Sequence, residues 1–208
     1  MCVGHSMDQF KELKCIYLLH GFASAPKFPS DKADALEKVF KLPVRQLAYD
    51  SSATFADNFE KLKAQITVFP QYFVGTSLGA FYASKLSELL YDEHAAETIM
   101  LNPCHNPYEM LAYEVGEHTN FVTAECFTFS QEALDSYQSV PFIDESKSVG
   151  RWVLINMDDE LIDSRDTKKL YDSKLAVITF EHGGHRFKNI SDNEVAKELL
   201  RIENTFCL

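Results

Sequence analysis

The stretch that decides the fold reads GTSLG, at residues 75–79. A short apolar run at 71–74 predicts a buried strand before it, and a helical pattern of apolar residues covers 78–91 after it. The pattern G-x-S-x-G between a strand and a helix is typical of a sharp turn that presents a serine at the edge of a sheet. The segment therefore predicts an exposed Ser77 on a strand-to-helix turn, flanked by Gly75 and Gly79, which are small enough to avoid a clash.

Predicted strands and helices alternate on both sides of this turn. The predicted strands cover 15–19, 44–49, 71–74, 98–101, 151–157 and 174–180. The predicted helices cover 31–41, a stretch through 66 behind a Thr54–Asp57 capping box, 78–91, 165–171, and a final segment capped by Ser191 and Glu194. Alternation of this kind indicates βα units. We therefore expect an α/β fold of the α/β-hydrolase type, with a mostly parallel central sheet and helices on both faces.

The stretch 104–148 breaks the alternation, because it separates two predicted strands by more residues than a simple βα connection needs. At 208 residues the chain is short for two independent cores, so we expect one domain over 1–208 with a short cap insertion at about 104–148. The aromatic residues of this insertion either line an apolar pocket or anchor the insertion to the core. They are Tyr108, Tyr113, Phe121, Phe127, Phe129, Tyr137 and Phe142.

The overall charge narrows the classes of partner. A formal net charge of -11 repels phosphate backbones and anionic lipid head groups, so we expect neither nucleic acid nor a membrane as partner. The first residues show no basic start followed by an apolar run, which predicts a cytoplasmic protein. The five cysteines form no C-x-x-C pair, so neither a disulfide framework nor a zinc site is expected. We expect no metal or organic cofactor, and the oligomeric state stays open.

Ser77 needs two partners to act as a nucleophile, because a serine hydroxyl is weakly nucleophilic without a histidine base and an acid that orients the base. In this fold the order along the chain is serine, acid, histidine. The backbone N–H of Leu78, at a helix start, is suited to stabilise a negative oxygen. A second donor is expected after the first strand, where the N–H of Phe22 is the candidate. The neighbouring His20 ends a strand beside a glycine, which favours a structural role.

The base and the acid are each chosen from several candidates. Only His182 and His185 follow a late strand, and His185 is the predicted base because it stands beyond two glycines that let the loop turn back over the sheet. A cluster of carboxylates follows the strand 151–157, and Asp159 is the predicted acid because it lies on the connecting turn just beyond the strand end. Asp163 and Asp158 are the alternatives. Asp163 directly precedes a predicted helix, where an aspartate is commonly an N-cap.

At these residues the chain resembles the YqiA/YcfP family of small bacterial α/β-hydrolase-like proteins. The resemblance rests on the segments 17–22, 75–79, 101–103, 159–160 and 184–185, which read YLLHGF, GTSLG, LNP, DE and GH. The tail 185–191 is most similar to the YcfP branch, some of whose members lack the elbow serine. In having Ser77 at the elbow, the chain resembles the YqiA branch, whose members resemble esterases that act on acyl esters and thioesters. The resemblance also implies that Asp159 holds the acidic position of the triad.

These patterns predict a serine hydrolase, an esterase or thioesterase that cleaves carboxylic esters or acyl thioesters through an acyl-enzyme on Ser77. The expected partner is a small-molecule acyl ester or thioester. A noncatalytic binding or scaffold protein that retains the fold is the alternative from another class. Two further alternatives are acyl transfer to an acceptor other than water and a cysteine hydrolase built on Cys104 and His105.

Overall fold

A computed structural model describes residues 14–92 and 96–206 of the chain. The strands of this part are β1 (Lys14–Leu19), β2 (Val44–Leu47), β3 (Phe69–Thr76), β4 (Glu97–Leu101), β5 (Gly116–Thr119), β6 (Cys126–Phe129), β7 (Arg151–Asn156) and β8 (Ala176–Phe180). The α-helices are α1 (Asp31–Phe40), α2 (Phe55–Ala64), α3 (Leu78–Leu89), α4 (Pro107–Met110), α5 (Gln131–Asp135), α6 (Ser164–Tyr171) and α7 (Asn193–Phe206). Short 3-10 helices lie at Ala112–Glu114 and Lys188–Ser191.

Six of these strands form one parallel sheet in the order β2-β1-β3-β4-β7-β8. Leu19 at the end of β1 lies opposite Gly75 in β3, and Leu101 at the end of β4 lies opposite Leu154 in β7. All carboxyl ends therefore meet along one edge of the sheet, where ligands bind in open α/β folds. This architecture confirms the predicted fold class.

Each face of the sheet carries its own apolar core. In β1 the odd residues Cys15, Tyr17 and Leu19 pack with α2 and α3, whereas Ile16 and Leu18 pack with α1 and α7. Every one of these side chains is buried, which explains why β1 is a continuous apolar run and not an alternating one. Helices thus cover both faces, as the sequence predicts.

Several boundaries differ from the sequence prediction. The strand β2 ends at Leu47 instead of reaching residue 49, and β3 extends beyond the predicted 71–74 at both ends. The last helix is not capped by Ser191, because that residue closes a 3-10 helix and α7 begins at Asn193. The Asp192 carbonyl accepts the first bond of this helix from the Ala196 N–H at 2.9 Å. The predicted Ser191–Glu194 capping box is therefore wrong by one residue.

The connection between β4 and β7 contains α4, a 3-10 helix, the antiparallel pair β5–β6 and α5. Phe129, Tyr137 and Phe142 point into the core, and the Tyr137 hydroxyl lies 2.6 Å from that of Tyr82 in α3. Tyr113 is fully open to solvent, whereas Phe121 lines a cleft at the carboxyl edge of the sheet. Most of these aromatic side chains therefore anchor the connection, and Phe121 faces the cleft.

Three cysteines lie in the described residues, and all are free thiols. Cys15 and Cys104 are buried, and Cys126 is exposed. Cys2, Cys207 and the N-terminal segment that was searched for a targeting signal fall outside the described residues. Within the described ranges, no helix is long and apolar enough to cross a membrane.

A buried ionic network ties α3 to β7 at the edge opposite the carboxyl ends. The Glu88 carboxylate lies 2.6 Å from Lys85 Nζ and 2.8 Å from Arg151 Nη2, and it accepts the Asp144 N–H at 2.8 Å. The three charged side chains are less than a tenth exposed. Since α3 directly follows Ser77 and β7 leads to Asp159, this network holds the two elements next to the candidate site.

We expect Glu88→Ala to lower the free energy of unfolding by about 3–5 kcal/mol, because it leaves the Arg151 guanidinium buried without its carboxylate. The matched control is Glu60→Ala, which removes an exposed partner of Lys63 at the same helical spacing and should cost at most about 0.5 kcal/mol. Urea unfolding at neutral pH measures the free energy of unfolding of both variants. Equal costs in the two variants would contradict a structural role for the network.

Candidate active site

Ser77 stands on a strained turn between β3 and α3. The sequence predicts an exposed serine, but Ser77 is only 9% exposed. Its φ is 56° and its ψ is -122°, a conformation that non-glycine residues rarely adopt. A Cβ atom on Gly75 would lie 2.2 Å from the Gly79 carbonyl oxygen, and one on Gly79 would lie 2.3 Å from the His20 carbonyl oxygen. Both positions therefore require glycine, because backbone atoms fill the space that a side chain would need.

Two backbone N–H groups next to the serine are available as hydrogen-bond donors. Gly21 packs directly on Ser77, because a Cβ atom at position 21 would touch the Ser77 Cβ at 3.4 Å. The next residue, Phe22, lines the cleft, and its N–H finds no acceptor within the described ranges. Leu78 is the first residue of α3, so its N–H has no acceptor within the helix. The turn thus brings two available donors to Ser77.

His185 and Asp159 form a hydrogen-bonded pair at the same edge. The Nδ1 atom of His185 lies 2.9 and 3.0 Å from the two Asp159 carboxylate oxygens. The Asp159 side chain is 1% exposed, and it also accepts the N–H groups of Leu161 and Ile162 at 2.8 and 2.9 Å. The pair therefore has a fixed carboxylate and an imidazole whose Nε2 is left for another partner.

The loop that carries His185 is held by buried amide side chains. Asn102, at the end of β4, donates to the carbonyl oxygens of Gly184 and His185 at 2.9 and 3.1 Å and accepts the Asn156 N–H at 2.8 Å. Asn156, at the end of β7, donates to the Gly184 carbonyl at 3.0 Å and to Asn189 at 3.2 Å. The histidine loop is therefore fastened to the ends of two central strands.

Two further carboxylates hold the same loop through its backbone. Asp158 accepts the N–H groups of Gly183 and Gly184 at 3.2 and 2.8 Å, and Glu160 accepts the His185 N–H at 2.8 Å. These backbone hydrogen bonds lower the pKa of both carboxyl groups. A lowered pKa in the folded state stabilises the loop above the pH where these groups titrate in the unfolded chain, and this support is lost as the pH falls through the lowered pKa.

The alternative acid and base occupy other positions. Asp163 caps α6, accepting the N–H groups of Arg165 and Asp166 at 2.9 and 3.2 Å. The His182 side chain is 89% exposed and lies 3.8 Å from Asp158. The interpretation of Asp163 as an N-cap is confirmed, and His182 has no buried carboxylate beside it.

His20 braces the loop after β1, as the sequence indicates. Its ring stacks on Tyr49 at 4.1 Å, its Nδ1 lies 2.9 Å from the Gly21 carbonyl oxygen, and burial lowers its pKa to about 4. Cys104 donates its N–H to the Ser77 carbonyl, and burial raises the pKa of its thiol to about 12. A buried thiol with that pKa is a poor nucleophile, which argues against a cysteine hydrolase.

A cleft of about 1050 Å³ joins these groups, and Ser77, His185 and Phe22 all line it. Within the described part of the chain, the Ser77 hydroxyl makes no hydrogen bond, so the serine and the imidazole are not in contact. Such contacts are often open without substrate and close in its complex. The cleft therefore brings together a serine hydroxyl, an imidazole that is hydrogen bonded to a buried carboxylate, and the backbone of Phe22.

Sequence reasoning missed the supporting residues. Asn102, Asn156 and Glu160 bond to backbone groups of the histidine loop that are 25 or more residues away in sequence. The only local signal is the position of the asparagines at strand ends, where polar residues commonly cap turns.

The topology, the serine elbow and the histidine loop together define a member of the α/β-hydrolase fold class. A sequence profile of the uncharacterised protein family UPF0227 matches residues 14–200. The chain therefore belongs to this family, in agreement with the resemblance seen in its motifs. A search of curated protein sequences finds no significant match.

Solved structures with the same fold include hydrolases from distant sources. Est1E from Butyrivibrio proteoclasticus aligns with a TM-score of 0.67 and 12% identity over 94% of this chain and 88% of that one. The alpha/beta hydrolase domain-containing protein 10 from mouse aligns with a TM-score of 0.66 and 16% identity, over 92% of this chain and 88% of the mouse protein. An esterase domain from Rhodothermus marinus aligns with a TM-score of 0.56 and 12% identity, over 92% of this chain and 84% of that domain. At these identities the likeness shows the fold.

We expect Gly79→Ala to destabilise the protein by about 3 kcal/mol or more, because its Cβ would overlap backbone atoms of β1 that cannot move aside. Gly21→Ala is the matched control, since its Cβ would meet Ser77 at an ordinary contact distance of 3.4 Å and should cost less than about 1 kcal/mol. Urea unfolding of both variants tests the close approach. A Gly79→Ala variant as stable as Gly21→Ala would rule it out.

Proposed function

We propose that the protein is a serine hydrolase that cleaves carboxylic esters or acyl thioesters through an acyl-enzyme on Ser77. The observation that carries the proposal is that His185, hydrogen bonded to the buried Asp159 at the sheet edge, lines one cleft with a serine on a strained elbow. No other pair of a histidine and a buried carboxylate faces this cleft in the described ranges. The same cleft is large enough for a small-molecule ester.

The first chemical step uses the imidazole as general base. His185 Nε2 takes the proton of the Ser77 hydroxyl, while the serine oxygen attacks the carbonyl carbon of the ester. Asp159, hydrogen bonded at Nδ1, keeps the ring in the tautomer that leaves Nε2 free and stabilises the imidazolium that forms. The imidazolium then gives its proton to the leaving alcohol or thiol, and the serine keeps the acyl group.

The carbonyl oxygen becomes negative during this attack. In this mechanism the N–H groups of Phe22 and Leu78 stabilise this charge by hydrogen bonds, helped by the positive end of the α3 dipole. Water then attacks the acyl-enzyme with His185 again as base, which releases the acid and restores Ser77. No metal or organic cofactor enters this sequence of steps.

The comparisons support the proposal at the level of the class. The Rhodothermus marinus domain is an esterase by its description, and a second structure of Est1E holds ferulic acid. A noncatalytic binding protein with this fold would need neither the strained serine nor the His185–Asp159 pair, and both are present here. Esterase chemistry is therefore the function that this geometry supports best.

We expect Ser77→Ala to lower the turnover of a p-nitrophenyl ester by on the order of 10^4-fold or more without unfolding the protein. The change removes one hydroxyl from a turn that the flanking glycines already allow. Ser24→Ala, which changes another serine that lines the cleft, is the control and should keep turnover. Release of nitrophenol and a melting curve are measured on both. Wild-type turnover in Ser77→Ala would refute a serine mechanism.

We expect Asp159→Asn to lower turnover by on the order of 10^4-fold with the fold intact, because an amide favours the wrong imidazole tautomer. Asp163→Asn is the matched control and should keep most activity, since asparagine caps a helix about as well as aspartate. Asp163→Ala should cost about 1 kcal/mol of stability and little activity. Turnover and melting temperature are measured on all three. A stable, inactive Asp163→Asn beside an active Asp159→Asn would exchange the two roles.

A further inference from the structure

Four cationic side chains line the cleft that contains Ser77, although the chain as a whole carries a net charge of -11. They are Lys27, Lys32, Arg186 and Lys188. In the described part of the chain none of them lies within 4.0 Å of a carboxylate oxygen, the distance at which an ion pair forms. The cleft therefore holds a cluster of positive charge that the protein does not neutralise by direct contact.

Lys32 is the most informative member of this cluster. It lies in the first turn of α1, is partly buried, and makes no side-chain hydrogen bond within the described residues. Burial, and secondarily the like charge of Arg186, lower its pKa to about 8. A partly desolvated ammonium without a partner is unfavourable unless a ligand supplies the negative charge.

Arg186 carries the second cation of the pair and follows the candidate base directly in sequence. Its guanidinium lies over the Phe121 ring, 4.5 Å from the ring centre. A cation–π contact of this kind does not use the N–H donors of the guanidinium, which therefore remain available to an acceptor. Arg186 and Phe121 thus line the cleft together, next in sequence to His185.

The carboxylates that line the same cleft are mostly engaged elsewhere. Glu160 accepts the His185 N–H, Asp163 caps α6, and Glu114 lies 3.8 Å from His118. Asp31 is exposed in the first turn of α1, where the helix dipole favours a negative charge. None of these four carboxylates forms an ion pair with Lys32 or Arg186 in the described residues.

We propose that the cleft binds ester substrates that carry an anionic group, and that Lys32 and Arg186 bind that group. This inference rests on the proposed esterase function and adds a substrate class to it. Charge-assisted hydrogen bonds from two cations, one of them partly desolvated, give a preference of about tenfold or more over a neutral ester of the same shape.

The test compares matched esters in two arms. On the acyl side, the mono-p-nitrophenyl ester of adipate is compared with p-nitrophenyl hexanoate, which has the same chain but no carboxylate. On the leaving-group side, p-carboxyphenyl hexanoate is compared with p-carbamoylphenyl hexanoate. We expect kcat/KM to favour the anionic ester by about tenfold in one arm, mainly through KM, and the arm identifies which end of the substrate carries the charge.

The variants decide whether the two cations cause this preference. Lys32→Gln and Arg186→Gln should each reduce the ratio of kcat/KM for the anionic and neutral esters several-fold. Lys38→Gln removes the same charge from the last turn of α1 and should leave the ratio unchanged. A ratio near one in both arms, or a ratio that all three variants reduce equally, would overturn the proposal while neutral-ester turnover still supports the esterase function.

A binding measurement keeps the two proposals separate. The Ser77→Ala variant cannot form an acyl-enzyme, so calorimetry gives the dissociation constants of the intact adipate monoester and of p-nitrophenyl hexanoate. We expect the anionic ester to bind about tenfold more tightly, and Lys32→Gln in the same background to remove most of that difference. Equal binding of the two esters would refute the anion site, even if the wild-type protein hydrolysed neither of them.

Discussion

The candidate site depends on one steric constraint, the close approach of the β1 end to the first turn of α3. Backbone atoms of β1 occupy the space that a side chain on Gly79 would need, and those of Gly79 occupy the space beside Gly75. With both glycines in contact with neighbouring backbone, the chain turns so sharply that Ser77 takes a positive φ. The same turn sets Ser77 against Gly21, and α3 begins at the next residue, Leu78. The proposed nucleophile and the proposed oxyanion donors therefore depend on one packing contact.

The histidine side of the site is held by hydrogen bonds instead of strain. An asparagine amide offers both donors and an acceptor, so Asn102 and Asn156 each connect a strand end to the loop of His185. The parallel strands β4 and β7 are paired with each other, so their ends shift relative to one another only if the sheet itself deforms. The histidine loop, which lies at the surface, is thus fastened to the ends of two central strands. These hydrogen bonds explain how a loop between β8 and α7 holds an imidazole in the same cleft as the serine that follows β3.

Much of this arrangement could be predicted from the sequence, because its signals are local. The elbow, the parallel strands and the Asp159 and His185 positions follow from spacing between short apolar runs and the turns after them. The β5–β6 pair escaped prediction because each strand has only four residues, and β5, which reads GEHT, has no apolar side chain to mark it as a strand. The roles of Asn102 and Asn156 escaped for another reason: their partners are distant in sequence, and a strand-end asparagine has the same appearance as an ordinary turn residue.

The segment 158–163 shows how a single acidic run divides into different tasks. Asp158 and Glu160 accept only backbone N–H groups of the histidine loop, so they hold its shape whichever ring nitrogen of His185 carries the proton. Asp163 accepts N–H groups of α6, and no hydrogen bond joins it to the histidine loop in the described residues. Asp159 alone meets the ring, with both oxygens near Nδ1 and almost no exposure to solvent. A carboxylate in that position favours the proton on Nδ1, and in a neutral imidazole this leaves Nε2 without a proton and able to accept one.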